Sequence, residues 1–133
     1  TQLTAAPAGT LTPVHLELAH NLFTVIDGEK EVALFDPRQT WRVYPDAPWS
    51  VSPHVARLPA VDLAPGSHPL ARGLTAWRAV LRSGDVLYIP PRWWHAVRTA
   101  APTLALAQWL AAGAVALVAR AAVAYKRLRW LST

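Results

Sequence analysis

The 133-residue chain contains no cysteine, and this absence removes several kinds of chemistry. A chain without thiols has no disulfides, no thiolate metal sites and no cysteine nucleophile. The absence is compatible with a reducing compartment but does not require one. Residues 1–9 also lack the basic start and the apolar run of a secretory signal peptide. We therefore expect a cytoplasmic protein.

Long runs of one charge are also scarce. The formal net charge is +5, but no basic run exceeds two residues. Four of the cations lie close to the C-terminus: Arg120, Lys126, Arg127 and Arg129. We interpret them as the solvated end of a helix, although the charge leaves nucleic acid open as a partner. Arg120 also interrupts the apolar C-terminal segment, so we expect no membrane span.

Apolar residues make up 53% of the chain, which is enough for the core of one domain. Short β-rich runs predict strands at 2–6, 11–17, 21–26, 30–35, 77–81, 86–89 and 103–109. Asp27 and Gly28 separate two of these runs and predict a hairpin turn. Residues 36–74 contain many prolines and predict a long connection. Trp41, Tyr44 and Trp49 indicate that part of this connection packs against the core.

The stretch 84–95 contains the first candidate for a chemical role. A turn at Gly84 and Asp85 leads into a short apolar strand, and two prolines end that strand. Two tryptophans then precede His95. A histidine just beyond a strand end, beside large apolar rings, is suited to metal binding. A lone histidine beside tryptophan is nevertheless more often simply packed.

His15 and Glu17 strengthen the metal interpretation. Residues i and i+2 of a strand point to the same face of the sheet, so these two side chains converge. Two histidines and one carboxylate, with coordination positions left open, form the facial triad of non-haem Fe(II) oxygenases. The sequence therefore predicts a metal site made of His15, Glu17 and His95.

These stretches together resemble the JmjC and cupin-like oxygenases, especially the branch with the asparaginyl hydroxylase that acts on hypoxia-inducible factor. The resemblance rests on residues 7–15, 21–23, 27–30 and 84–95, which follow the order seen in that family. It extends from residue 3 to residue 109. It implies a mostly β fold, the double-stranded β-helix or jelly-roll barrel of cupins. It also implies binding of Fe(II) and 2-oxoglutarate, and O₂-dependent hydroxylation or demethylation of a protein or peptide substrate. Of these two reactions we favour hydroxylation.

The resemblance also implies roles for individual residues. The predicted triad would bind the iron. Lys30 would point into the barrel, with its amine near Thr12, and both would bind the distal carboxylate of 2-oxoglutarate. Asn21 and Gln108 would line the co-substrate pocket. From spacing alone, Lys30 fits a solvent-facing position equally well.

Two departures from the family pattern leave alternatives open. Glu17 stands where this branch more commonly has aspartate; glutamate occurs in the wider JmjC group, but its longer side chain could shift the iron or weaken the site. The N-terminal strands and helices of the family are missing, so the chain is either a minimal form or part of a longer enzyme.

The alternative function is a cupin-like binding or scaffold domain with weak or no turnover. A sugar-binding or isomerase cupin is disfavoured because the usual cluster of several histidines is missing.

The last part of the chain differs from the rest. Residues 1–109 are expected to form the barrel domain, whereas 110–131 are rich in alanine, leucine and valine and predict a helix. Segment 110–133 would pack on the barrel or on a second subunit. Its apolar positions recur every three or four residues and cover much of the helix circumference. We therefore predict a homodimer through 110–131.

Overall fold

The computed structural model describes residues 1–50, 52–59 and 68–110. Within these ranges six antiparallel strands belong to one hydrogen-bonded sheet. The strands are β1 (Gln2–Ala6), β2 (Leu11–Leu16), β3 (His20–Phe35), β4 (Trp77–Arg82), β5 (Val86–Ile89) and β6 (Trp94–Leu110). Two short 3₁₀ helices, Pro37–Arg42 and Pro69–Ala71, lie between β3 and β4. The fold is therefore mostly β, as the sequence predicts.

The long strands β3 and β6 pair with each other and hold the fold together. Residues 29–34 of β3 pair with β4, and residues 94–98 of β6 pair with β2. Residues 21–24 of β3 pair with β5, and residues 103–107 of β6 pair with β1. This pairing makes a first half-sheet, β2-β6-β3-β4, and a second half-sheet, β1-β6-β3-β5. Residues from both line one interior cavity, so the two halves face each other as in a jelly roll.

The hairpin predicted at Asp27 and Gly28 is wrong, because β3 continues through both residues. The register of β3 against β6 shifts between Val25 and Lys30, where β3 passes from the second half-sheet to the first. Gly28 has a φ of 88°, and a Cβ at this position would overlap the carbonyl oxygen of Pro102. The Asp-Gly pair therefore permits a bulged bend inside one long strand. The final strand predicted at 103–109 is likewise the second part of β6.

The connection between β3 and β4 covers the outer side of the first half-sheet. Its buried members join strand residues in one core cluster, which includes Phe35, Val43, Ala56, Leu58, Ala71 and Trp94. Tyr44 packs against this cluster, as predicted. The prediction that part of the connection packs against the core is therefore confirmed, although Trp41 and Trp49 are 52% and 88% exposed and do not belong to the packed part. The ring of Trp41 instead contacts the guanidinium group of Arg42, 4.2 Å from its centroid.

Leu110 is the last residue of β6 and also the last described residue. The remainder of the helix predicted at 110–131 lies outside the described residues, and so does the dimer predicted through it. None of the helices in the described ranges has the length and apolar character needed to cross a membrane.

Candidate metal centre and co-substrate cavity

The side chains of His15, Glu17 and His95 meet on the wall of the interior cavity. His15 and His95 are direct partners in the ladder between β2 and β6, and Glu17 follows the last residue of β2. One potential ligand atom from each residue lies within 4.8 Å of the other two. The ring centroids of the two histidines are 4.1 Å apart. The structure thus brings together the three residues that the sequence predicts as a triad.

Backbone carbonyls determine which imidazole nitrogen is available for a metal. His15 Nδ1 lies 2.9 Å from the carbonyl oxygen of Pro13, and His95 Nδ1 lies 3.2 Å from that of Trp93. A carbonyl oxygen only accepts hydrogen bonds, so we assign the proton to Nδ1 in both rings. The Nε2 lone pairs are then free to bind a metal, the arrangement found in most histidine metal ligands.

His95 is buried, with 3% of its surface exposed. Burial, and then the neighbouring charge of His15, lower the pKa of His95 to about 4, while the hydrogen bond to the Trp93 carbonyl acts in the opposite direction. His95 is therefore neutral at physiological pH. A neutral imidazole is the form that binds a metal ion.

Asn21 orients the carboxylate of the triad. Its Nδ2 donates a hydrogen bond to Glu17 Oε2 at 2.9 Å. Asn21 is 4% exposed, and its Oδ1 atom is buried without a hydrogen-bond partner. An unsatisfied buried oxygen costs about 1–3 kcal/mol, so a bound group with a donor would remove this cost. Two imidazoles and one oriented carboxylate are also the donor set that suits Fe(II), so the residues fit the metal.

The triad borders a cavity of about 210 Å³. Both half-sheets contribute to its walls, which are mainly apolar beyond the triad. The lining residues besides the triad are Gln2, Thr4, Thr12, Asn21, Phe23, Lys30, Ile89, Val97, Ala105, Ala107 and Trp109. The inner part of this cavity, beside the buried His95 and Lys30, keeps bulk water away from a small bound acid.

Lys30 is the cation of this cavity, and it is 5% exposed. Its Nζ atom donates a hydrogen bond to Thr99 Oγ1 at 3.0 Å. Burial lowers the pKa of Lys30 below its usual value. Among the described residues, the ion pairs formed by carboxylates all involve arginines. A buried amine whose hydrogen-bond partner is neutral is suited to pair with the carboxylate of a bound ligand.

The structure places three of the four predicted co-substrate residues on this cavity: Thr12, Asn21 and Lys30. Gln108 is not among them. Ala107 and Trp109 line the cavity, so strand alternation turns Gln108 to the opposite face of β6. Its partner in the ladder, Leu22, is likewise absent from the cavity wall. We therefore withdraw Gln108 from the predicted site.

Sequence reasoning missed Thr99, the hydrogen-bond partner of Lys30. Thr99 is 2% exposed and lies directly opposite Lys30 in the ladder between β3 and β6. The alternation of side chains along β6 could have identified Thr99, because residues 95, 97 and 99 of one strand point to the same face of the sheet. Trp109 was also missed, and the same alternation brings it to the cavity.

Comparisons with known proteins agree with this architecture. A protein family described as a cupin-like domain matches residues 3–112. The chain is 37% identical over 103 residues to Jumonji C domain-containing protein 5 of Drosophila melanogaster, covering 77% of this chain and 25% of that protein. It is 30% identical over 103 residues to Lysine-specific demethylase JMJ30 of Arabidopsis thaliana, covering 77% and 24%. The chain thus spans about a quarter of the length of these relatives.

A solved structure has the same fold at much lower sequence identity. A chain in the crystal structure of Drosophila melanogaster CENP-C bound to CAL1 aligns with a TM-score of 0.50 at 10% identity. The alignment covers 81% of this chain and 59% of that one, and it supports the fold alone. The family match, by contrast, includes the triad and nearly all of the six strands. The chain therefore belongs to the family of cupin-like domains, and its sequence relatives include a Jumonji C domain-containing protein.

Proposed function

We propose that this chain is the core of an Fe(II)- and 2-oxoglutarate-dependent oxygenase that hydroxylates a protein side chain. One observation carries the proposal. A triad of two histidines and one carboxylate shares a small cavity with a buried lysine that lacks a carboxylate partner among the described residues. The triad suits a metal, and the lysine suits the far end of a dicarboxylate.

Each residue of the triad has a separate task in this proposal. His15 and His95 would hold Fe(II) through Nε2, because Nδ1 of each ring faces a backbone carbonyl. Glu17 would contribute the anionic oxygen that a hard cation requires. Asn21 fixes the Glu17 carboxylate through one oxygen and leaves the other available. Three protein ligands leave coordination positions for a bidentate 2-oxo acid and for O₂.

Lys30 would bind the distal carboxylate of 2-oxoglutarate, with Thr12 as a second donor from the same wall. Thr99 would keep the lysine amine in place behind the cavity surface. Phe23, Ile89 and Val97 line the same space and would exclude water from the aliphatic carbons of the acid. When bound, iron and 2-oxoglutarate supply the oxidation by O₂, giving succinate, CO₂ and a hydroxylated carbon.

Hydroxylation of a side-chain carbon is the reaction we favour. Demethylation starts with the same hydroxylation, placed on a methyl group attached to nitrogen, and ends with loss of formaldehyde. Two sequence relatives are named lysine-specific demethylases. A protein side chain as the target is supported by these names and by the resemblance of residues 7–15, 21–23, 27–30 and 84–95 to the branch with an asparaginyl hydroxylase.

The proposal is tested by turnover. The full chain is incubated with Fe(II), 2-oxoglutarate and O₂, and succinate is measured with and without a library of peptides. Wild type should form succinate, and a matched peptide should increase the rate and gain one oxygen atom. His95→Ala should lower the rate more than about 100-fold, since loss of even an outer partner of a ligand costs about 10–100-fold.

His20→Ala is the matched control, because His20 is the exposed first residue of β3 and does not line the cavity. Its Nδ1 lies 2.7 Å from the hydroxyl oxygen of Tyr88, on the face of the strand opposite Asn21. This variant should leave the rate unchanged. A chain that binds Fe(II) and 2-oxoglutarate but forms no succinate with any peptide would instead support the binding or scaffold alternative. Formaldehyde release from a peptide that loses a methyl group and gains no oxygen atom would favour demethylation.

A further inference from the structure

β4 is the last strand of the first half-sheet, and it pairs only with β3. Hydrogen bonds elsewhere in the sheet determine the direction of its backbone groups. Thr99 of β6 donates its N–H to Thr10 and accepts from Gly9, so the backbone of Thr99 faces β2. Backbone groups alternate between the two sides of a strand, so Arg98 faces β3, where its partner is Glu31.

The same alternation continues through β3 into β4. Val32 follows Glu31 and therefore faces β4, where its partner is Ala79. Arg78 and Val80, on either side of Ala79, thus direct their N–H and C=O groups away from β3. No backbone hydrogen bond within the described ranges joins these groups to another segment. We call this side of β4 the open edge, and free groups of this kind are what an added strand requires.

The charges beside the open edge leave one cation without a carboxylate. Arg98 donates to both carboxylate oxygens of Glu31, at 2.9 and 2.7 Å. Arg82 pairs with Glu29 at 3.1 Å. Arg78 borders a groove of about 420 Å³ together with Glu31 and Arg98, but the ion pairs of the described residues do not include it. An acidic side chain is therefore the suitable neighbour for Arg78.

A second copy of β4 is a poor candidate for the added strand. β4 contains two arginines and no acidic residue, so a second copy of the strand offers no carboxylate to Arg78. In the register centred on Val80, Arg78 lies opposite Arg82 of the other copy. Like charges directly opposite each other destabilise a pair of strands. The open edge thus favours an acidic segment from another protein.

The cavity side of β4 leads to the triad. Trp77 lies opposite Leu34, and Leu34 lies opposite His95. Residues opposite each other share a face, so Trp77 lies on the face of His95, two strands or roughly 10 Å away. Trp77 is 49% exposed, and its ring centroid lies 5.3 Å from that of Trp93. The open edge therefore ends beside an exposed aromatic pair, at the end of the half-sheet that carries the triad.

We propose that the protein substrate adds an extended acidic segment to the open edge, antiparallel to β4 and with one carboxylate next to Arg78. This inference rests on the proposed function, because it describes how the substrate of that reaction is held. Hydrogen bonds to the backbone of Arg78 and Val80 would supply affinity for any extended segment. The contact with Arg78 would select an acidic one.

This arrangement also predicts where the target side chain lies in the substrate. The C-terminal end of an antiparallel segment leaves the open edge at Trp77. The added strand is three strand spacings, or roughly 14 Å, from His95. About four or five extended residues cover this distance. The target residue would therefore follow the docked segment by about that number of residues.

Binding is tested without turnover, so the result does not depend on the proposed reaction. The probe is the fluorescein-labelled peptide Glu-Thr-Val-Thr-Glu-Val, whose glutamates would lie opposite Arg82 and Arg78. The full chain, without added metal, is titrated into the peptide and fluorescence anisotropy is measured. One modified peptide carries N-methyl groups at its third and fifth residues, whose N–H groups would face β4. A second carries them at the second and fourth residues, whose N–H groups would face solvent.

The unmodified peptide and the second modified peptide should bind equally well. The first modified peptide should bind about 10-fold more weakly, because it loses hydrogen bonds to the open edge. The protein is unchanged in this comparison, so a folding defect cannot cause the difference. Equal binding of the two modified peptides, or no binding of the unmodified one, would overturn the proposal.

A charge reversal tests the selectivity. Arg78→Glu should weaken binding of the probe about 10-fold and should strengthen binding of the same peptide with lysine in place of both glutamates. Arg57→Glu is the matched control, because Arg57 is 70% exposed and follows the bridge between Val55 and His15, beside β2 at the opposite edge. It should change neither affinity. Equal effects of the two variants would overturn the selective role of Arg78.

Turnover separates this inference from the proposed function. Peptides that carry the probe sequence ahead of varied target residues are incubated with Fe(II), 2-oxoglutarate and O₂, and succinate is measured. Selective binding without succinate would support the open edge and contradict only the proposed function. Succinate formation that Arg78→Glu and the first pattern of N-methyl groups leave unchanged would overturn the open edge, while the proposed function would stand.

Discussion

The Nζ atom of Lys30 lies 3.0 Å from Thr99 Oγ1, and both side chains are almost completely buried. A hydroxyl group is a weak partner for a buried cation, because it carries no charge to offset the lost hydration. The pair therefore costs stability in the free protein. The amine of Lys30 has already lost its hydration in the cavity. It therefore attracts the carboxylate of an entering acid more strongly than an amine in water would.

Lys30→Met should stabilise the free protein at neutral pH, by roughly 1 kcal/mol, because methionine fills a similar volume without a charge. Burial lowers the pKa of Lys30 in the folded protein, so the folded state resists protonation of the amine. The cost is fully present below the folded pKa and disappears as the pH rises toward 10.5, the value of the unfolded chain. The advantage of the variant should therefore shrink between neutral and alkaline pH.

Urea unfolding of wild type and Lys30→Met across this pH range measures that difference. A difference in unfolding free energy that does not change with pH would show that the amine is not the source of the cost. The variant should also bind 2-oxoglutarate about 2–5 kcal/mol more weakly, in the range for loss of one buried charge partner.

Thr99→Val should weaken 2-oxoglutarate binding about 10-fold, because the lysine amine loses the acceptor that positions it. Thr99→Ser keeps the hydroxyl group and should restore most of the affinity. Calorimetric titration with 2-oxoglutarate at a fixed metal concentration gives both values. Metal affinity should be unchanged in both variants, and a parallel loss of metal and acid binding would indicate a general packing defect instead.

Asn21→Ala should lower the metal affinity about 10–100-fold, the usual effect of removing an outer partner of a metal ligand. The reason is that Glu17 loses the amide that holds its carboxylate at 2.9 Å. Competition with a fluorescent chelator measures the affinity. Gln108→Ala is the control on the opposite face of the sheet, and an equal loss in that variant would remove Asn21 from the site.

Gly28→Ala should lower the free energy of unfolding by more than about 2 kcal/mol, since a methyl group there meets the backbone of Pro102. Gly84→Ala is the matched control. Its φ of 91° is similarly left-handed, but a Cβ there has open space, so we expect a loss of only about 1 kcal/mol. Urea unfolding of both variants compares them, and equal losses would show that the bend at Gly28 has room for a side chain.

The sequence predicts the strands and the triad because their signals are local. His15 and Glu17 differ by two positions, so alternation alone brings them to one face. Gln108 fails because the strand at 103–109 was predicted separately from the stretch that ends at His95. The alternation that begins at His95 continues through β6 and turns Gln108 away from the cavity. Thr99 was missed because its partner, Lys30, lies on another strand.

The prediction of a hairpin in the middle of β3 also failed because local signals do not contain the pairing of distant strands. The Asp-Gly pair at 27 and 28 has the composition of a hairpin turn, and only the fit against Pro102 makes it a bend. Strand pairing over long sequence separations decides between these two outcomes, and local propensity does not contain that information.

The most direct test of the central claim is an anaerobic titration of the full chain with Fe(II) and 2-oxoglutarate, followed by visible absorption. The account predicts a weak visible band that needs both metal and acid, saturates at one equivalent and is lost in His95→Ala and in Lys30→Met at the same acid concentration. His20→Ala should keep the band. Absence of the band in wild type, or an undiminished band in His95→Ala, would contradict the assignment of His15, Glu17 and His95 as an iron site beside a 2-oxoglutarate cavity.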